Sequence, residues 1–168
     1  MEEIVVARTV DGIAMQVNKK DLQMAVCLYG IVVQNGKILI VPQWKENGYD
    51  FPGGHLELGE KHIDGLVREV KEETGFIVKP IKIIDVVTSF FISPHRKIPR
   101  QCLLLYYDCE IVSGNLSTEG FDENEKNYAE LAKFVTLKEL KSMELQCSCR
   151  DEVLKAVMPY LEKRLSKN

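Results

Sequence analysis

Three glutamates, Glu69, Glu72 and Glu73, are the residues of this 168-residue sequence whose types and spacing point most clearly to chemistry. Between His62 and Thr74, apolar residues recur at intervals of three and four, which predicts an amphipathic helix. Because each residue of a helix advances by about 100°, the three carboxylates fall on one flank beside the apolar stripe. Like charges at these spacings repel by a few tenths of a kcal/mol per pair. A divalent cation would turn that repulsion into coordination.

The ligand atoms on this flank are carboxylate oxygens, with no His or Cys beside them. Oxygen ligation favours Mg²⁺ or Mn²⁺ over Zn²⁺. Such an ion could neutralise phosphate oxygens and lower the pKa of a bound water, and a carboxylate left free of the ion could accept that water's proton. Taken alone, three glutamates on a helix are more typical of a solvated acidic face, so the wider pattern decides between the two interpretations.

The wider pattern is the segment 54–76, GHLELGEKHIDGLVREVKEETGF, which resembles the Nudix box G-x5-E-x7-R-E-U-x-E-E-x-G-U, where U is apolar. Every fixed position matches without a gap, and a chance match has a probability of roughly 10⁻⁸ per starting point. Residues 50–53 before the box and 134–140 near the end also resemble the family. The chain is identified as a member of the Nudix (MutT-like) hydrolase family. The matching fixed positions are Gly54, Glu60, Arg68, Glu69, Glu72, Glu73 and Gly75.

The resemblance implies a metal site built from four residues. Gly54 would offer its backbone carbonyl to the metal, and Glu72 and Glu73 would be metal ligands. Glu69 would be either a further ligand or the general base. The implied cofactor is Mg²⁺, with Mn²⁺ as a substitute.

The resemblance also implies two supporting residues. Arg68 would pair with a box carboxylate and orient it, and it is counted with Glu69 as catalytic. The alternative is that Arg68 is a plain surface partner of Asp64 or Glu72, one helical turn away. Glu60 would support the metal site from the loop before the helix.

Two positions in the segment depart from what is usual. Lys61 stands where Ser or Thr often caps the helix, so the helix start is expected to be capped differently. Gly65 lies inside the helix, which costs up to about 1 kcal/mol relative to Ala and allows close packing. Neither position removes a ligand.

Substrate contacts are weakly indicated. Trp44, the single tryptophan, could stack on a base or could pack in the core. Glu130 begins the predicted strand 130–135 and lies ahead of Phe134, as a substrate-contacting acid does in some relatives. A further ligand or base could come from the polar loop 113–128, although a solvated loop is the alternative for each of its acids, Glu119, Asp122, Glu123 and Glu125.

The remaining elements predict a layered α/β domain, and the resemblance implies a Nudix-type α/β/α sandwich with a mixed β-sheet over a single domain, 1–168. An N-terminal hairpin is predicted at 4–17, with its turn at Asp11-Gly12. It is a dimerisation element, a lid or simply part of the fold, so a homodimer is left open. A second hairpin turns at Asn35-Gly36. Further strands are predicted at 76–92 and 102–112, and helices at 137–143 and 150–165.

Composition narrows the function classes. The formal charge of −3 argues against a general binder of nucleic acids or membrane surfaces. No apolar run reaches the length of a membrane span and no signal peptide is visible, so the sequence predicts a cytoplasmic protein. The five cysteines do not suggest a disulfide framework. Cys147-Ser148-Cys149 is either half of a metal site or a pair of thiols in a reducing cytosol.

The resemblance implies a magnesium-dependent pyrophosphohydrolase whose partner is a small nucleotide. Its substrate would be a nucleoside diphosphate linked to a second moiety: a nucleoside triphosphate, an oxidised nucleotide, ADP-ribose or a nucleotide sugar. The alternative is a catalytically silent Nudix-like module that senses a nucleotide.

Overall fold

A computed structural model describes residues 3–9, 12–42, 48–92, 97–120 and 130–166. In this part of the chain the α-helices are α1 (His62–Thr74), α2 (Leu137–Ser142) and α3 (Arg150–Leu165), and a short 3-10 helix spans Lys19–Asp21. The strands are β1 (Ile4–Arg8), β2 (Ala14–Asn18), β3 (Gln23–Gln34), β4 (Lys37–Pro42), β5 (Gly48–Asp50), β6 (Gly53–His55), β7 (Phe76–Ile92), β8 (Pro99–Gly114), β9 (Lys133–Val135) and β10 (Glu144–Leu145).

The strands form one mixed sheet in the order β10-β5-β4-β3-β8-β7-β1-β2, while β6 pairs with β3 and β9 with β4. At its centre β3 and β8 run parallel from Gln23↔Arg100 to Val32↔Cys109. The long strands β7 and β8 are antiparallel. This arrangement confirms the predicted α/β class with a mixed sheet.

The helices α1 and α3 cover opposite faces of the sheet, because alternate residues of a strand point to opposite sides. Leu28 of β3 belongs to a core cluster with Val70 of α1. Its neighbour Cys27 belongs to a second cluster with Val157 and Leu161 of α3. The fold therefore has the three layers of an α/β/α sandwich.

Local signals in the sequence correspond to local structure. The bounds of α1 and α3 are those predicted, and α1 ends at Gly75, whose φ of 78° is left-handed and whose N–H bonds to the Lys71 carbonyl. Lys61 is the N-cap of α1 and makes no side-chain cap hydrogen bond. Asn35 and Gly36, at φ 51° and 73°, form the predicted turn between β3 and β4, because only positive φ closes such a tight hairpin.

Some predicted bounds differ from the structure. The strand β8 is longer than 102–112 at both ends, and it begins at Pro99, a position where a strand tolerates proline. The strand β9 begins at Lys133 instead of 130, because Glu130 directs its backbone N–H to the Pro42 carbonyl at 3.4 Å ahead of the β9 ladder. The hairpin of β1 and β2 pairs antiparallel from Ile4↔Asn18 to Arg8↔Ala14, and Asp11 of its turn lies outside the described residues.

Within the described residues, none of the helices has the length and apolar character needed to cross a membrane.

Candidate active site

The strand β6 carries two glycines against the glutamates of α1. It pairs antiparallel with β3 through Leu28↔Gly54 and Tyr29↔Gly53. The Gly53 backbone N–H donates to Glu73 Oε2 at 2.7 Å. Gly53 has a φ of 151°, and a Cβ there would lie 2.0 Å from the Leu28 carbonyl oxygen. Only glycine therefore permits this close approach.

Gly54 is in direct contact with another glutamate of the box. A Cβ on Gly54 would lie 2.3 Å from Glu69 Oε2, so the missing side chain is what makes room for that carboxylate. The structure thus brings together Gly54 and Glu69, two residues that the sequence predicts for the metal site.

Arg68 connects the carboxylates of the site. Its Nε and Nη2 donate to the two oxygens of Glu60 at 2.9 and 3.0 Å, a bidentate pairing that fixes the guanidinium plane. Its Nη1 donates to Glu69 at 2.8 Å and to Glu72 at 3.3 Å, and its Nη2 also donates to the His55 carbonyl at 3.2 Å. Arg68 is therefore more than a surface partner one turn from Glu72.

The charges in this network stabilise one another. The hydrogen bond from Arg68 is the main reason that the pKa of Glu60 lies below its usual value. The same bond, followed by the one to Glu69, raises the pKa of Arg68. Glu60 is therefore ionised at neutral pH.

The three glutamates of α1 lie at different depths. Glu73 is 7% exposed, whereas the side chains of Glu69 and Glu72 are 13% and 42% exposed. A buried carboxylate must be compensated by charge or hydrogen bonds. Glu73, the most buried of the three, accepts the Gly53 N–H. Glu72, the most exposed, lines a groove.

The donor set tests whether a metal ion fits here. Among the described residues, no three acidic, His or Cys side chains are gathered closely enough to hold a metal ion. Arg68 Nη1 instead supplies positive charge between Glu69 and Glu72. The available donors are all oxygen atoms, the kind that Mg²⁺ and Mn²⁺ prefer. The residues fit such an ion when the ion replaces Arg68 Nη1 as the positive charge between Glu69 and Glu72.

Part of the predicted acidic loop reaches the end of α1. Ser117 N donates to the Thr74 carbonyl at 3.1 Å, and a Cβ on Gly120 would lie 2.5 Å from the Glu72 carbonyl oxygen. A groove of about 1060 Å³ runs here, lined by Arg68, Glu72 and Glu119 among others. Sequence reasoning missed Gly53, the His55 carbonyl and Gly120; the Gly53-Gly54 pair was the one signal that could have pointed to the first.

Other predicted site residues are elsewhere or outside the described part of the chain. Glu130 is exposed and is not among the residues that line the groove. Trp44 lies outside the described residues, as do Asp122, Glu123 and Glu125.

Gly65 gives a test of this packing. A Cβ there would lie 2.7 Å from Glu60 Oε2. Alanine usually stabilises a helix by up to about 1 kcal/mol over glycine, but here it should push Glu60 away from Arg68. We expect Gly65→Ala to leave the free energy of unfolding unchanged or to lower it by about 1 kcal/mol in urea denaturation.

The control is the same change in a Glu60→Ala background, where the obstructing carboxylate is gone. There the remaining close neighbour is the flexible Leu56 side chain, whose Cδ1 would lie 3.0 Å from the new Cβ, so most of the ordinary helix gain should return. The double-mutant cycle measures the difference. A stabilisation by Gly65→Ala in the otherwise unchanged protein would show that Glu60 is not held where the structure places it.

Comparisons with known proteins agree with this geometry. A family model described as the NUDIX domain matches residues 21–157. The chain is 32% identical over 114 residues to the ADP-ribose pyrophosphatase of Methanocaldococcus jannaschii, covering 66% of this chain and 64% of that protein. It is 31% identical over 91 residues to a MutT-like protein of Streptomyces ambofaciens, covering 54% of each. The chain therefore spans less than two thirds of the length of these curated relatives.

A solved structure shows the same fold. A NUDIX hydrolase from Nitrosomonas europaea superimposes with a TM-score of 0.62 at 18% identity, covering 82% of this chain and 90% of that one. This likeness concerns the fold alone. Because the family model matches most of the chain, and because the segment 54–76 carries the whole box, the chain belongs to the Nudix family.

Proposed function

We propose that the chain is a hydrolase that uses water to cleave a phosphoanhydride bond in a nucleoside diphosphate linked to a second moiety. The observation that carries the proposal is the intact set of box carboxylates packed on the glycines of β6. Glu73 accepts the Gly53 N–H at 2.7 Å, and Gly54 leaves room for the Glu69 carboxylate. Glu72, the third carboxylate of the set, lines the groove beside Arg68.

The proposed cofactor is Mg²⁺, with Mn²⁺ as a substitute, held by Glu72, Glu73 and the Gly54 carbonyl, with Glu69 as either a further ligand or the general base. The Nudix family generally uses a divalent metal. When bound, the ion would supply positive charge for the diphosphate oxygens and make water a better nucleophile. An acidic protein of formal charge −3 needs such a local cation to attract an anionic substrate.

The chain's own residues would do the rest. Glu73 is fixed by Gly53 and would hold its position throughout turnover. Arg68 is locked by Glu60, so that its Nη1 can orient the carboxylates of Glu69 and Glu72. The proton of the attacking water would pass to a carboxylate that is not engaged by the ion. Glu69 and an acid of the loop 113–128, such as Glu119 in the groove, are the two candidates for that base.

We propose the same four substrate classes that the sequence indicates: a nucleoside triphosphate, an oxidised nucleotide, ADP-ribose or a nucleotide sugar. Similarity to a protein named an ADP-ribose pyrophosphatase makes ADP-ribose the first of them to test. The proposal includes three further predictions from the sequence. Residues 1–168 form a single domain, the partner is a small nucleotide and the protein is cytoplasmic. A homodimer is left open. Nucleic acids and membranes are not proposed as partners.

The alternative is a module that binds a nucleotide without cutting it. Loss of box glutamates would favour such a sensor, and here every fixed position of the box is present. The hydrolase is therefore the better interpretation.

The experiment is a panel of one nucleotide from each class, incubated with Mg²⁺ or Mn²⁺ in ¹⁸O-labelled water. We expect metal-dependent hydrolysis of at least one substrate, with ¹⁸O in one phosphorylated product, because water attacks phosphorus. Product masses identify the phosphorus attacked, and chelation with EDTA is the control. Tight nucleotide binding with no hydrolysis under either metal would contradict the hydrolase and support the sensor.

A further inference from the structure

A pair of cysteines lies in the turn between β10 and α3, on the face of the sheet that α3 covers. The sulfur atoms of Cys147 and Cys149 are 3.3 Å apart, and both thiols are free. A disulfide bond is about 2.05 Å long, so a small approach of the two sulfurs would suffice to join them. The proposed hydrolase does not use this pair.

The two thiols have unequal surroundings. Cys149 is the N-cap of the 16-residue helix α3, where the helix dipole favours negative charge. A hydrogen bond from Cys147 is the main cause that lowers the pKa of Cys149, and a hydrogen bond from Ser89 acts in the same direction. The pKa of Cys147 is raised by the same contact, by burial and by the charge of Asp50. Burial and the charge of Glu152 act against this lowering, but the contact favours loss of the proton from Cys149 over loss of the proton from Cys147.

Solvent reaches Cys147 through a cavity. The cavity has a volume of about 400 Å³ and is lined by Cys147 and Ser148, with two guanidinium groups, Arg8 and Arg150, in its wall. Cys147 is half-buried and Cys149 is 8% exposed. The wall also carries three carboxylates, those of Glu144, Asp151 and Glu152. A small uncharged molecule that enters this cavity meets the Cys147 sulfur, with the Cys149 sulfur 3.3 Å from it.

A second cysteine pair in the core provides a contrast. The contact with Cys102 raises the pKa of Cys27. Both cysteines belong to the core cluster that also contains Cys149 and are 4% and 3% exposed, but neither lines the cavity beside Cys147. The fifth cysteine, Cys109, is 1% exposed. In both pairs the two thiols are in contact. Cys147 and Cys149 differ from the other pair because one of them lines a cavity and the other is the N-cap of a helix.

We propose that Cys147 and Cys149 form a redox-active dithiol that reduces hydroperoxides and becomes an intramolecular disulfide. As Cys149 takes its proton, the Cys147 sulfur, which lines the cavity, attacks the terminal peroxide oxygen and the O–O bond breaks; the alkoxide takes a proton and leaves as an alcohol or water. Cys147 is then a sulfenic acid. Cys149 attacks its sulfur, forms the S–S bond and releases water. The peroxide gains two electrons, and two thiols become one disulfide.

Mass spectrometry of the wild-type protein tests the proposal directly. Trypsin cleaves after Lys141 and Arg150, and the peptide 142–150, SMELQCSCR, contains this pair and no other cysteine. The protein is treated with a slight excess of hydrogen peroxide and its remaining thiols are then alkylated. We expect this peptide to lose two hydrogens and to take no alkyl group, while Cys27, Cys102 and Cys109 are alkylated. A 142–150 peptide that is still alkylated after peroxide treatment would overturn the proposal, whatever the state of Cys27 and Cys102.

Two variants assign the roles. In Cys149→Ser the sulfenic acid cannot be resolved, so dimedone should label Cys147. In Cys147→Ser the reaction with peroxide should slow at least about tenfold, because the remaining thiol does not line the cavity. Cys109→Ser is the matched control and should oxidise as the wild type does. Equal rates in Cys147→Ser and the wild type would contradict the assignment.

Folding of each variant is checked by circular dichroism, and the wild-type peptide remains decisive if a serine variant does not fold. The outcome is independent of the proposed hydrolysis, because the reaction needs neither nucleotide nor divalent metal. Failure of one proposal therefore does not mimic failure of the other.

Discussion

Replacing Glu73 with glutamine is expected to lower turnover about a thousandfold while the protein stays folded. The Gly53 N–H, which donates to Glu73 Oε2 at 2.7 Å, can donate equally to the amide oxygen of glutamine. The packing of β6 on α1 is therefore kept. What is lost is the negative charge of the deepest carboxylate at the proposed metal site, which an amide oxygen replaces poorly for a hard cation.

The measurement is kcat with the best substrate of the panel, together with Mg²⁺ affinity by calorimetry. Glu57→Gln is the matched control: it is the same chemical change on an exposed residue of the loop before α1, and it should leave kcat near that of the wild type. Glu72→Gln is expected to behave as Glu73→Gln does. Near wild-type activity in both box variants would refute the assignment of these glutamates as ligands.

Replacing Gly53 with alanine is expected to lower the free energy of unfolding by about 2–5 kcal/mol. A positive φ costs a residue with a Cβ about 1–2 kcal/mol, and forced overpacking costs about 1–3 kcal/mol more. Here the new Cβ would lie 2.0 Å from the Leu28 carbonyl oxygen and 2.8 Å from the Tyr29 Cα. Both contacts are with backbone atoms of β3, which cannot turn aside as a side chain can.

Gly36→Ala is the matched control, because it isolates the conformational part of the cost. Gly36 has a φ of 73°, and a Cβ there would meet nothing within 4 Å. Urea denaturation of both variants should show a loss of about 1–2 kcal/mol for Gly36→Ala and a clearly larger loss for Gly53→Ala. Equal losses would mean that the contact between β6 and β3 is looser than the structure has it.

The sequence alone was sufficient where the physical signal is local. The bounds of α1 followed from apolar spacing and from Gly75, because a helix is specified by neighbours three and four residues apart and by its cap. The turn at Asn35-Gly36 followed from the need for positive φ. The common flank of Glu69, Glu72 and Glu73 followed from helix geometry.

Tertiary structure decided which distant atoms meet. Apolar periodicity shows that a strand is buried but not which strand lies beside it, so the parallel pairing of β3 with β8 could not be predicted. In the same way, the Gly53 N–H reaches Glu73, twenty residues away, because β6 is held on β3 beneath α1. The choice of Glu60 as the bidentate partner of Arg68 depends on where the loop before α1 is packed.

The cysteines illustrate the same division. The spacing of Cys147 and Cys149 is in the sequence, where it is compatible with a metal half-site or with idle thiols. Their contact, the cavity beside Cys147 and the approach of Ser89 from β7 arise only when α3 packs on the sheet. Sequence fixes which groups are available, because it sets their types and local spacing. Long-range packing selects the few that share a site, because it alone sets distances between residues far apart in the chain.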